Sequence, residues 1–144
     1  AIVRASWEQV HASGREVLGE LILRNLFRID REAVRFFDFG EGEVFSSPRF
    51  QELSGQLVNA LHLCFTGRQG GPGLLRKVFA GPLSREGARK LYRSLTQAVA
   101  STIRTGLREG YTADVDAAWH GIVDAFASEA AGEAPEATTA EGPC

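Results

Sequence analysis

Residues 84–110 read SREGARKLYRSLTQAVASTIRTGLREG, and the reading of the whole chain starts from them. Ala88, Leu91, Tyr92, Leu95, Val99, Thr102, Ile103 and Leu107 recur at spacings of three and four, which gathers them on one face of an α-helix. Ser84 stands where a hydroxyl caps the first amides, and Gly110 supplies a stop. A strand reading would need alternating β-branched runs or Asn-Gly and Asp-Gly turns, and the sequence has neither. A long helix with one apolar face must bury that face against others of its kind, which predicts an all-α domain.

The same signals recur on both sides. Downstream, Thr112 caps a last helix whose first turn holds Asp114 and Asp116, at the positive end of the dipole. Its apolar stripe is Val115, Trp119, Ile122, Val123 and Phe126. Upstream, Ser47-Pro48 opens a helix running to about Thr66, with Phe50, Leu53, Leu57, Leu61 and Cys64 aligned. A glycine-rich loop, residues 67–73, follows it, and a short helical segment spans residues 74–80 before Gly81-Pro82. Nearer the N-terminus, Ser6 and Gln9 form a capping box for a first helix that weakens at Ser13-Gly14. A second run follows, with Val17, Leu18, Leu21, Ile22, Asn25 and Leu26 on its stripe, and Asp30 caps a short third. About seven helices are expected in a single domain over residues 1–131. Residues 132–144, polar and proline-containing with nothing to bury, are expected to be a disordered acidic tail.

Charge excludes some classes of function. The net charge of −2 belongs to the tail, which has three glutamates and no base, so the remaining residues sum to +1. Such a balance gives no electrostatic footprint for nucleic acid. No apolar run approaches the length of a membrane span. Two cysteines, Cys64 in an apolar run and Cys144 at the terminus, do not make a disulfide framework, and with no signal-like segment the expected location is cytoplasmic. The 67–73 loop has no Lys-Ser/Thr after it and no strand before it, so it is not a phosphate loop. No nucleophile–base pair or spaced carboxylate pair stands out, and no enzyme activity is expected.

Five pieces of sequence, in order, resemble the globin family, in particular the neuroglobin-like, vertebrate-type members. They are Ser6-Trp7; Leu26-Phe27 followed by Asp30; Phe37; Ser46-Ser47-Pro48-Arg49-Phe50; and Gly110-Tyr111-Thr112 with Ala117-Ala118-Trp119. The resemblance covers roughly residues 3 to 130 and implies the globin fold, a pocket for haem b and gas binding as the ancestral activity. Carried over position by position, it implies a pocket wall of Leu23, Phe37, Leu53, Leu57, Tyr92 and Leu95. Leu53 falls at the distal position and Pro82 at the proximal one.

There the chain departs from the family, whose haem iron is held by an imidazole nitrogen. The histidines are His11, His62 and His120, and none lies in the proximal segment. His62 follows Leu53 by nine residues, half a turn out of phase with it. With no Cys or His three or four residues away, His62 and His120 read as structural or polar-face residues and no metal site is expected. Lys77 is the nearest alternative ligand to the proximal region. Three readings follow. The first is a degenerate globin-fold protein without histidine-ligated haem, acting as a binding or interaction module for an unknown protein. The second is a haem protein using a non-histidine axial ligand such as Lys77. The third is a carrier of an apolar small molecule in the vacated pocket.

Overall fold

The first helix, α1 (Ile2–Ile29), is 28 residues long, and its helical path is broken at Gly14, where φ is −160° and ψ is 47°. The break lies at the predicted weak point. The start does not: the helix begins at Ile2, so Ser6 is interior and not a cap. Its hydroxyl donates to the carbonyls of Ile2 (2.8 Å) and Val3 (3.0 Å), the partners that a serine one turn inside a helix finds. The computed structural model describes residues 2–37, 43–67, 69–79 and 85–131, with side chains at 13, 15, 16, 72, 76, 85 and 124–131 outside that description. The expected tail, and Phe126 as a core side chain, therefore lie outside the described residues.

Beyond Gly14, α1 buries Leu18, Gly19, Ile22, Leu23 and Leu26. Val17 and Leu21, expected on the same stripe, are 55% and 43% exposed. The reason is the packing of Gly19. A Cβ there would overlap the Ser54 carbonyl oxygen, so the backbones of α1 and the next helix touch at this point and rotate the buried arc toward it. Val17 and Leu21 fall one ridge outside that contact.

A 3₁₀ turn (Arg31–Phe36) follows, and Asp30 caps it as expected by accepting from the Glu32 amide at 3.2 Å. After a second short turn (Val44–Ser46), α2 (Pro48–Phe65) opens with Pro48 in its first turn and the Ser47 hydroxyl accepting from the Arg49 amide at 3.1 Å. Cys64, expected on its buried stripe, is half-buried. Then α3 (Gly71–Val78) begins three residues earlier than expected. Pro72 costs no hydrogen bond in a first turn, and Gly71 lies so close to α2 that a Cβ on it would be 2.7 Å from the Cys64 Sγ.

The long α4 (Arg85–Leu107) carries the expected stripe, with Ala88, Leu91, Tyr92, Leu95, Val99, Thr102 and Ile103 all buried. It stops earlier than Gly110 because Arg108 takes the left-handed conformation, φ 54°, and a 3₁₀ turn (Arg108–Gly110) leads away. Thr112 then caps α5 (Ala113–Ala131), its hydroxyl 3.4 Å from the Val115 amide. Counting the halves of α1 separately and including the turn at 31–36, seven helical segments stand among the described residues, where about seven were expected. No strand occurs among the described residues, and none of their helices is long and apolar enough to cross a membrane. The central layer is α4, packed on α1 along one side and α5 along the other, while α2 covers α1 and carries α3.

Candidate functional site

The expected pocket wall assembles from four parts of the chain and closes on itself. Leu23 comes from α1, Phe37 from the end of the first 3₁₀ turn, Leu53 and Leu57 from α2, Tyr92 and Leu95 from α4. All six belong to one buried cluster. Leu23, Leu57 and Leu95 have no exposed surface, while Leu53 and Tyr92 have about 1%. A void large enough for water would give its lining some accessible area, so Leu23, Leu57 and Leu95 line no such void, while Phe37 keeps 6% of its surface. Pro82, the expected proximal position, lies outside the described residues.

Aromatic rings occupy the region instead. Phe79 meets Tyr92 at 5.5 Å between centroids and Phe37 at 5.2 Å, and Phe37 meets Phe27 at 5.6 Å. The Phe27–Phe37 and Phe37–Phe79 contacts are edge-to-face, with interplanar angles of 77° and 76°. Such contacts add to the hydrophobic gain by placing ring edges on ring faces. On the other side of Phe27, Phe45 lies edge-on to Phe50 at 5.2 Å, and the Arg24 guanidinium covers the Phe45 ring at 4.2 Å. The phenylalanine expected at a haem edge is thus packed between two others.

The histidines lie elsewhere. His62 sits nine residues beyond Leu53 on α2, about 13 Å along the axis at the usual rise. Its Nδ1 accepts a hydrogen bond from the Trp7 indole N–H at 3.1 Å, and its ring stacks on His11 at 4.2 Å between centroids. Trp7 also contacts Phe65, which lies edge-on to Trp119, and the Trp119 indole N–H donates to the Ser6 hydroxyl at 2.9 Å. Ser6 and Trp7 thereby tie α1 to α5 and to α2. This joint was missed in the sequence, where Ser6 reads as a cap. The only signal for it was the pair of tryptophans, each needing an acceptor once buried. His11 and His62 are thus structural, as expected of His62, and lie away from the closed wall. Lys77 is exposed on α3. Among the described residues no imidazole faces this cluster, and its side chains are packed with the neighbouring rings. No group of three or more metal-ligating side chains occurs among the described residues.

A second constellation, not expected from sequence, lies between α4 and α5 as a half-open cleft of about 170 Å³. Gln97, Ala100, Ser101 and Arg104 line it from α4, at spacings that put them on one flank of the helix. Asp116, His120 and Val123 face them from α5, and Tyr111 closes one end. The Tyr111 hydroxyl donates to Asp116 Oδ1 at 2.9 Å. Burial pushes the Tyr111 phenol up to about 12 from 10.0, helped by that hydrogen bond and by the Asp116 charge, with Arg104 opposing. His120 Nδ1 lies 2.9 Å from the Asp116 carbonyl oxygen and 3.3 Å from its Oδ2. Both neighbours are acceptors, so Nδ1 carries the proton and Nε2 points away from them. Arg104 makes no hydrogen bond or ion pair among the described residues.

Comparison with known proteins identifies no relative: no protein-family model, no curated protein and no solved structure gives a significant match to the chain.

Proposed function

We propose that this chain is a globin-fold protein that has given up histidine-ligated haem and serves as a helical binding or interaction module. The observation that carries this reading is the closed wall. The side chains that the family resemblance assigns to the haem pocket touch one another and their aromatic neighbours, with no water-sized space at Leu23, Leu57 or Leu95. Inserting a porphyrin there would require separating α1, α2 and α4 and breaking the Phe37–Phe79–Tyr92 contacts, and no imidazole bond would offset that cost. The fold assignment itself rests on the five sequence pieces and on the all-helical arrangement.

Titration of the purified protein with hemin tests it. The expected result is a broad, unsaturable Soret change, as for hemin adsorbed on an apolar surface. A sharp band at one hemin per chain would overturn the reading and restore haem binding, with Lys77→Ala then showing whether that amine is the axial ligand. Native mass spectrometry of the protein as isolated is expected to give the mass of the chain alone. A retained apolar adduct would instead establish the carrier reading.

A further inference from the structure

We propose that the α4–α5 cleft is a binding site for a small monoanionic carboxylate held by Arg104. Two packed helices normally fill the seam between them, but here α4 presents the short side chains Ala100 and Ser101, and a space of about 170 Å³ remains. That volume suits a molecule of a few heavy atoms. Its chemistry is set by what each polar group already does.

Asp116 is held inside the cleft, with Oδ1 accepting from the Tyr111 hydroxyl and Oδ2 3.3 Å from His120 Nδ1, which bonds the Asp116 carbonyl. It orients those two side chains and leaves Arg104 without an ion pair, although both line the same cleft. A guanidinium presents a planar fork of N–H donors that matches a carboxylate. The Tyr111 phenol, pushed up to about 12, stays neutral at ordinary pH and adds no second negative charge. Ala100 and Val123 offer methyl groups to a short carbon skeleton, and Ser101 and Gln97 offer polar contacts beside Arg104. A metal cation would meet the positive charge of Arg104. A phosphate dianion would bring two charges toward the Asp116 carboxylate, where a carboxylate brings one. One exposed arginine in a half-open cleft supports weak binding, with a Kd on the order of millimolar.

Backbone-amide NMR of the full chain tests this, with butyrate as the probe, inorganic phosphate as the competitor chemistry and sodium chloride as the ionic-strength control. Butyrate is expected to give saturable shifts confined to residues near 100–104 and 116–123, and phosphate to bind at least about fivefold more weakly. Arg104 is exposed and makes no bond, so Arg104→Gln should fold normally and lose the saturable shifts. Arg89→Gln, an exposed charge earlier on the same helix, should keep them. The absence of saturable shifts, their persistence in Arg104→Gln, their loss in Arg89→Gln, or phosphate binding as tightly as butyrate would each overturn the proposal.

Discussion

On one flank of α4, Tyr92, Leu95 and Val99 are buried in the core beside α1, with the Phe79 ring on Tyr92; on the next, Gln97, Ser101 and Arg104 line an open cleft. The flanks share one helix and differ in what faces them. Leu23, Leu57 and Phe37 belong to the same buried cluster, and Leu23 and Leu57 have no accessible surface, so the stability of this flank comes from buried apolar area and close packing. On the second flank α5 offers Asp116 and His120, which hydrogen-bond within their own helix and with Tyr111 in place of α4. A side chain's position on a helix therefore decides only which neighbour it meets. The neighbour decides whether the meeting is a core or a site.

Three comparisons sharpen the contrast. The largest effect is expected on the sealed flank: Leu95→Ala should lower unfolding stability by about 2–5 kcal/mol, because the cavity it leaves is ringed by packed side chains. Ser101→Ala on the open flank should stay within about 0.5 kcal/mol. Urea unfolding of both variants measures the difference, and equal losses would erase the distinction between the flanks.

The next effect compares hydrogen bonds. Ser6→Ala removes the acceptor of the buried Trp119 indole N–H and should cost about 1–2 kcal/mol, after allowing for alanine's better helix propensity. Tyr111→Phe removes a bond at the cleft rim and should cost less than about 1 kcal/mol near neutral pH, where water replaces the lost partner. Thermal unfolding of the two variants ranks them.

The smallest effect is in pH dependence. The Tyr111 phenol titrates at about 12 in the folded chain against 10.0 ordinarily, so the folded state holds this proton more tightly. Its contribution to stability is complete below pH 10 and is lost as pH rises from about 10 through 12, since the unfolded chain gives up the proton first. Stability of the native protein should therefore fall more steeply over that window than stability of Tyr111→Phe. Parallel slopes would place the phenol in ordinary solvent and open the rim of the cleft.

Much of the architecture was readable from short-range patterns. The α4 stripe, the Ser47 and Thr112 caps and the Asp30 turn each depend on residues within four positions of one another, the range over which a helix sets its own geometry. The readings that failed involve contact between helices. Ser6 looks like a cap until the chain before it is seen to continue helical. Val17 and Leu21 have the right spacing for a core stripe, and the close approach at Gly19 turns them outward. Of the cleft, sequence showed that Asp116 and His120 sit one turn apart, which is common on any exposed helix face.

The chain alone determined that helices form where they do and that no histidine falls in the segment where the family resemblance places the proximal one. Both follow from residue identity and local spacing. Tertiary structure alone decided that the leucines and aromatics of the expected pocket meet each other, that Trp7 finds His62 across 55 residues and Trp119 finds Ser6 across 113, and that α4 and α5 part at Arg104. Those outcomes depend on where helices cross and how deeply they seat. Crossing and seating are set by the summed fit of many side chains, and no single stretch of sequence carries that sum.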